Sequence, residues 1–507
     1  VRCTLKGNVA GGIAISLIAI TIRLVDINQP FIDAWSWRQS DVASIARNYL
    51  RNGFNFAYPQ IDWAGDQAGY VGTEFPILPF IAAICYKFVG VHEWVGRLQS
   101  VIFFAASLPF LFLIIQQVFG PTAAMWGLFF YSFAPSSVMA SRCFMPDMPS
   151  LSLAIIGLYS FWRWTISDKL KFLFASAASI SLSILIKLPN VIIGAPVFFL
   201  AVVAVCDRHS NVLQEYGGHR PPLQFERLLR WELWFFAAIA LLPSAVWYWH
   251  AYQIAQQFYP HHLFGAGGVR LMRPTWYLNI VRETVESSLT PLLVAFAAFY
   301  LLARGPSARA GLFHAWLGAL IVFIIVVGYG NRHPWYRLPL VPICAAYAGA
   351  TWAWIAERLT GRFAFRATAA LTVVLFSISS YISLKNFYLE KAANLRLVAL
   401  ELRRITPRES LIVAADYGDP TIFYYAERRG WHFMEDGAIY NGHPTNSAEA
   451  IADLAALRTR GATHFVLYSG SFWWLDYYRD FAQYLEQTAS VLEVAPEFEI
   501  FKLDQAR

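Results

Sequence analysis

The chain repeats one pattern: runs of about twenty apolar residues carrying almost no charge. A run of that length satisfies its backbone polar groups inside a bilayer only as a helix. The first such run covers residues 8–25. Others follow at 98–118, 121–140, 148–163, 170–187, 189–205, 232–249, 287–303, 311–328, 338–356 and 366–384. Composition agrees, since 57% of the residues are hydrophobic and 14% charged, against about 25% charged in soluble domains. The pattern predicts a polytopic α-helical membrane protein with about eleven transmembrane helices. The first run follows Arg2 and Lys6, and no small-x-small cleavage pattern comes after it, so it reads as an uncleaved span.

Charge sets the expected orientation. The run 76–91 is apolar but broken by Pro76 and Pro79. If it does not cross, the connections on the side of the N-terminus hold Arg163, Lys169 and Lys171, then Arg208, Arg220, Arg227 and Arg230. Arg304 and Arg309, and finally Arg358, Arg362 and Arg366, fall on that side too. That is the positive-inside distribution, so 76–91 reads as interfacial or re-entrant and the N-terminus as cytoplasmic. The net charge of +7 is then explained by orienting loops, without nucleic acid. The five cysteines are scattered and suggest neither a disulfide framework nor a zinc-finger spacing. Beyond about Lys385 short apolar runs and ordinary charge return. Strands are expected at 410–415, 463–468, 490–495 and 498–503, with helices at 421–429, 446–460 and 472–487. This alternation predicts a soluble α/β domain over 385–507 on the outer face, beside a transmembrane region over 1–384 with a first outer loop at 28–96. No glycine-rich fingerprint follows its first strand, which argues against nucleotide binding.

The outer loops carry the chemistry. Residues 31–50 hold Asp33, Arg38, Asp41 and Arg47. Ser40 can cap a helix whose apolar positions Val42, Ile45, Ala46, Tyr49 and Leu50 share one face, closed at Asn52-Gly53. It reads as an amphipathic helix on the membrane surface, with Asp41 in its first turn. Asp41 suits taking a proton from a hydroxyl, binding a cation, or stabilising the helix end; Asp33 is a second acid or a solvated loop residue. Glu74 precedes a proline-broken apolar run and also reads as an anchor acid. Arg142 and Asp147 sit in a short turn and can pair with each other or serve a substrate. Lys187 needs an anionic substrate group, a carboxylate such as Asp147, or water. His261 and His262 lie in a loop with Arg270, Arg273 and Arg282, and either with Glu74 could hold zinc. The turn 331–342 gathers Arg332, His333, Tyr336 and Arg337, suited to phosphate or to an aromatic belt with snorkelling bases. Carboxylates and phosphate-suited cations on one membrane face are what transfer from a lipid-phosphate donor requires.

The order of these motifs resembles the polytopic glycosyltransferases with the GT-C fold, the superfamily of protein O-mannosyltransferases and ArnT-type aminoarabinose transferases. The motifs are Asp33 followed by Arg38-Gln-Ser-Asp41, Glu74-Phe-Pro76, Arg142 to Asp147, Lys187-Leu-Pro189 and Pro334-Trp-Tyr-Arg-Leu-Pro339. The resemblance implies a bacterial inner-membrane enzyme. An acceptor hydroxyl would attack the anomeric carbon of a polyprenyl-phosphate-linked sugar on the periplasmic side, with inversion. Asp33 resembles the family's first-loop catalytic acid and Asp41 the acid of the following helix. The family writes Asp-Glu followed closely by Arg-Tyr, whereas here Ala34-Trp35 follows Asp33 and two extra residues precede Arg38, so the working carboxylate is either Asp33 or Asp41. Lys187, Arg332, Arg337 and Tyr336 are the expected phosphate contacts. Arg38, Arg142, Asp147 and His333 are expected at the substrate. Glu74 with His261 or His262 resembles a zinc pair of the ArnT branch. No cofactor is demanded by these residues, and a divalent metal (zinc, or magnesium or manganese) is the one addition they would admit. The acceptor is a glycan, a lipid or a protein. A transporter or flippase of a lipid-linked sugar is the competing expectation, although neither an internal repeat nor charges deep in several spans support it. A non-catalytic assembly partner retaining the fold is a third.

Overall fold

The computed structural model describes residues 2–202, 230–264, 268–303, 310–436, 439–440 and 442–504. The loop arginines Arg208, Arg220, Arg227, Arg304 and Arg309, and the end of the run 189–205, lie outside the described residues. Every apolar run is helical where described: α1 (Arg2–Leu24), α2 (Ser36–Asn52), α3 (Ile77–Val89), α4 (Glu93–Phe119), α5 (Pro121–Phe133), α6 (Pro135–Ala140), α7 (Asp147–Ser167), α8 (Leu170–Ile186), α9 (Leu188–Val202), α10 (Trp231–Gln257), α11 (Pro274–Glu283), α12 (Pro291–Ala303), α13 (Gly311–Val327), α14 (Leu340–Arg358) and α15 (Arg362–Phe387). Among the described residues, α4, α10 and α15 are long and apolar enough to cross a membrane, and a fourth span results if the bent pair Pro274–Leu289 and Pro291–Ala303 counts as one. Shorter apolar helices are present at Ala10–Leu24, Ile77–Val89, Leu170–Ile186, Leu188–Val202 and Gly311–Val327 among the described residues.

The chain forms two compact units. The first comprises residues 1–27, 97–247 and 265–386. Its helices approach closely where side chains are small. A methyl group on Gly349 of α14 would lie 2.3 Å from the carbonyl of Ala123 in α5, and beside this contact Trp126 and Trp352 stack with centroids 3.9 Å apart. Small residues at a crossing let two backbones meet. Helices α7 and α8 pair through reciprocal serine bonds, Ser150 Oγ donating to the Ser183 carbonyl at 2.6 Å and Ser183 Oγ to the Ser150 carbonyl at 2.7 Å. Asp147 opens α7 and Lys187 follows the last residue of α8, so each charge lies at the helix end whose dipole favours it. Their side chains meet at 3.5 Å, both almost wholly buried.

The second unit comprises 28–96, 248–264 and 387–507. The change of sequence character near Lys385 coincides with its edge, and the first loop belongs to the same unit. After α16 (Ala393–Ile405) come β1 (Leu411–Ala415), α17 (Thr421–Ala426), β2 (Arg429–His432), β3 (Glu435–Asp436), β4 (Ile439–Tyr440), α18 (Ser447–Thr459), β5 (His464–Tyr468), α19 (Trp473–Tyr477), α20 (Arg479–Thr488), β6 (Ala489–Ala495) and β7 (Phe498–Leu503). The sheet order is β2-β1-β5-β7-β6, parallel across β2-β1-β5 and antiparallel beyond. Asn446 caps α18, its side chain accepting from the Glu449 amide at 3.0 Å, as the Asn/Ser start signal implies. Two expected helices are corrected. The one at 421–429 stops at Ala426 because Glu427 turns left-handed at φ +53°, and 429–432 becomes a strand. The one at 472–487 divides at Tyr478, whose hydroxyl donates to the Pro444 carbonyl at 2.6 Å.

Helix α2 departs furthest from expectation. It starts at Ser36 rather than at a Ser40 cap, so Asp41 lies in its second turn, and it ends as expected at Gly53 with φ +97°. It is also buried almost all round, including Arg38, Asp41 and Arg47, while Arg51 in its last turn is exposed. A surface helix would leave its polar face in water; here protein covers both faces.

Two contacts carry stability predictions. Gly65 sits at φ +57°, and a methyl group there would come within 1.8 Å of the Trp431 ring. Gly65→Ala should therefore cost about 3 kcal/mol through overpacking and left-handed strain, read by thermal unfolding in detergent; an unchanged midpoint would refute the close contact. Lys187→Met removes the cation 3.5 Å from Asp147 and should cost about 3–5 kcal/mol, as breaking buried pairs does. Adding Asp147→Leu should recover much of that loss in the same assay.

Candidate functional site

In the second unit α2 presents its charges at successive turns, and each finds a partner. Arg38 donates to both Glu74 oxygens, at 2.8 and 2.7 Å, and lies over the Phe264 ring. Thr73 Oγ1 donates to Glu74 Oε2 at 3.0 Å. Nine residues on, Arg47 binds Asp62 at 2.5 Å and Asn48 donates to the other oxygen of Asp62 at 2.9 Å. Between these pairs, Asp41 accepts a hydrogen bond from the Trp63 indole at 2.9 Å and is 2% exposed. Burial pushes its carboxyl up to about 6, with the Arg38 charge and the Trp63 bond limiting the rise. Asp33, fully buried just before the helix, accepts from the Trp35 amide at 2.9 Å and from the Gln39 side chain at 2.9 and 3.1 Å.

The C-terminal segment completes this cluster with residues that no sequence motif marked. Asp416 follows β1 directly and His432 ends β2, so both stand at the carboxyl edge of two parallel strands, where α/β sheets place ligands. Asp416 receives the His432 Nδ1 proton, its two oxygens 2.8 and 2.9 Å away. Burial opposes a charged imidazole, but Asp416, its hydrogen bond and the charges of Asp41 and Asp419 outweigh it, and His432 holds its proton above the usual histidine range. The Trp63 ring joins the two halves, 5.3 Å from the His432 ring and 5.5 Å from that of His262. Asp419 accepts from Ser36 Oγ at 2.8 Å, and Ser40 shares a hydrogen bond with Thr421 at 3.0 Å. A histidine closing a strand beside an acid-ended strand was the available signal, but it needed the strand register.

The structure thus gathers Asp33, Arg38, Asp41, Glu74 and His262 in one unit. His262 is half-buried, and its desolvation and the Arg38 charge bring it down to about 4, so it is neutral at ordinary pH. His261 instead faces the Ala255 carbonyl at 3.2 Å. The expected zinc set does not fit: Glu74 is engaged by a guanidinium. Among the described residues no group of three His, Cys, Asp or Glu side chains could hold a metal ion.

The other expected residues belong to the first unit. Lys187, beside Asp147, also lies 4.5 Å from the Tyr336 ring centroid. Trp335, Asn190 and Pro189 line the same depression. Arg142 is buried and donates to the Asp26 carbonyl at 2.9 Å, which ties the end of α1 to the 141–147 turn. Arg337 binds Glu283 at 2.6 Å and the Arg332 carbonyl at 2.9 Å, so it holds the turn together rather than standing open to a phosphate. Arg332 is exposed, and His333 stacks on Trp335 at 4.6 Å.

Comparison with known proteins places this geometry. Residues 73–216 match the family model described as dolichyl-phosphate-mannose-protein mannosyltransferase. No curated protein matches. Among solved structures, the chain is similar to ArnT from Cupriavidus metallidurans bound to undecaprenyl phosphate, at 15% identity over 97% of each chain and a TM-score of 0.61. The apo state of that protein gives 15% identity over 98% of each chain and a TM-score of 0.63. The apo oligosaccharyltransferase of Archaeoglobus fulgidus gives 14% identity over 96% of this chain and 73% of that one, with a TM-score of 0.60. The family match covers residues 73–216 only, and the structural likeness is one of fold: the chain has the GT-C fold that these glycosyltransferase structures share.

Proposed function

We propose that the chain is an inverting membrane glycosyltransferase that moves a sugar from a polyprenyl-phosphate donor to an acceptor hydroxyl at the periplasmic face of a bacterial inner membrane. In this reading the N-terminus is cytoplasmic and the 385–507 segment periplasmic. The observation that carries it is the buried cluster of Asp41, Arg38, His262 and the Asp416–His432 pair, within a fold like that of a protein bound to undecaprenyl phosphate. An oligosaccharyltransferase of similar fold binds dolichol-phosphate, which also favours a lipid-phosphate donor.

The transfer needs one base and one stabiliser. A carboxylate takes the acceptor hydroxyl proton as its oxygen bonds to the anomeric carbon. The bond from that carbon to the phosphate oxygen breaks on the opposite face, and the lipid phosphate leaves with the electron pair. Asp41 suits the proton transfer better than Asp33, because its proton affinity lies close to working pH. Asp33, already accepting from Trp35 and Gln39, suits a positioning role. Arg38, the Trp63 hydrogen bond and, after them, the protonated His432 lower the proton affinity of Asp41 against its burial. For the departing phosphate, Lys187 and Arg332 remain the candidate cations, with Tyr336 beside Lys187.

Asp41→Asn should lower turnover by about 10²–10⁴-fold, the usual share of a general base, in transfer from a radiolabelled polyprenyl-phosphate sugar. Wild-type turnover should be low below pH 6 and rise through about 6 as Asp41 ionises. His432→Gln removes a positive neighbour, so the same limb should move to higher pH; an unmoved limb would separate His432 from the base. Because Arg38 engages Glu74, chelation with EDTA should leave the transfer rate unchanged, and a loss restored by zinc would show that the pair opens to admit a metal.

A further inference from the structure

A second group of side chains in the same unit takes no part in the Asp41 cluster. At the carboxyl ends of β1 and β5, Tyr417, Tyr468, Trp473 and His443 form an aromatic corner. Trp473 is 38% exposed, and its neighbour Tyr477 72%. Single exposed aromatic residues are ordinary, but these are locked together. The Trp473 indole donates to the Tyr417 hydroxyl at 2.8 Å, and that hydroxyl donates to the Gly470 carbonyl at 2.7 Å. The His443 ring meets Tyr417 edge-to-face at 5.2 Å and Trp473 at 5.1 Å, and Tyr468 meets Tyr417 at 5.9 Å. Tyr417 is held at φ +57°, a conformation bulky residues rarely adopt and one that tends to mark sites of function.

We propose that this corner is a saccharide-binding subsite that holds a glycan acceptor for the transfer reaction. Rigid Tyr and Trp rings offer broad apolar faces at little entropic cost, matching the C–H faces of a pyranose ring, while the exposed His443 imidazole suits its hydroxyls. The surroundings favour an uncharged saccharide over a membrane surface. Asp476 is exposed three residues along the same short helix from Trp473, where anionic headgroups would be repelled. The indole N–H that an interfacial tryptophan would offer to headgroups is engaged by Tyr417. The location also fits, since Tyr417 directly follows Asp416, the partner of His432.

The inference rests on the glycosyl-transfer reading and selects a glycan among its possible acceptors. The test uses the full chain in lipid nanodiscs on an array of bacterial cell-envelope oligosaccharides. Wild type and Asp41→Asn should bind the same glycans with equal affinity. Trp473→Ala should weaken binding about tenfold or more, a loss of one good contact, with Trp473→Phe intermediate and thermal unfolding unchanged in both. Three results would overturn the subsite: no bound glycan, undiminished binding by Trp473→Ala, or quenching of a bimane label at Tyr477→Cys by doxyl-phosphatidylcholine, which would put this face in lipid. If glycans bind as expected while no sugar moves from a polyprenyl-phosphate donor, the subsite stands and the transfer reading fails.

Discussion

Burying a charged helix sets the terms for the whole second unit. Helix α2 carries two of its three arginines, Arg38 and Arg47, and an aspartate at positions that protein buries. A charge taken out of water costs several kcal/mol unless another group meets it. Glu74 answers Arg38, Asp62 accepts from Arg47 and also from Asn48 of the same helix, and the Tyr424 carbonyl accepts from Arg47 as well. Those partners come from the first loop and from a segment nearly four hundred residues away, so folding α2 requires both to be in place. Asp41 is the member of this row without an arginine bonded to its own carboxylate. Burial raises its proton affinity, while the carboxylates that hold arginines serve as anchors.

The sheet supplies the other half of the constraint. Because β1 and β2 run parallel, both carboxyl ends open on the same edge, and the residues placed there, Asp416 and His432, are brought together by register rather than by sequence proximity. The contact with the first loop is equally tight. The Gly65 amide donates to the Gly430 carbonyl at 2.7 Å and the Gly430 amide to the Asp62 carbonyl at 3.1 Å, so the loop runs against β2 as a further backbone partner. An imidazole held by Asp416 on one side and ringed by Trp63 and Phe423 has little freedom to turn. It can act on Asp41 only through its charge or by exchanging the proton on its remaining nitrogen.

What the sequence could disclose follows from this. Apolar runs mark helices because a helix needs only its own backbone, and those runs are helical here. Acids and bases in the first loop were visible because they interrupt an apolar chain. The misreading of α2 has a specific cause. Val42, Ile45 and Tyr49 define one apolar face, and periodicity alone assigns the opposite, charged face to water; nothing local announces Asp62 and Glu74 as partners. His432 lay in a Trp-His-Phe stretch that looked like ordinary core. Arg337 looked suited to phosphate because its carboxylate, Glu283, lies in another helix 54 residues earlier.

The pair at Asp147 and Lys187 shows how the same physics gives a different outcome in the first unit. There each charge already lies at a favourable helix terminus, the carboxylate at an N-terminus and the ammonium at a C-terminus, so the dipoles offset part of the desolvation cost before the two charges meet. The 3.5 Å separation is longer than the Arg38–Glu74 contact at 2.7 Å, and Lys187 lies over the Tyr336 ring as well. A lysine shared among a carboxylate, a ring and a helix end is held by several weak attractions rather than by one bidentate lock. Arg38 is thus locked to one carboxylate through two short bonds, while Lys187 is held by an opposing charge and a helix end together.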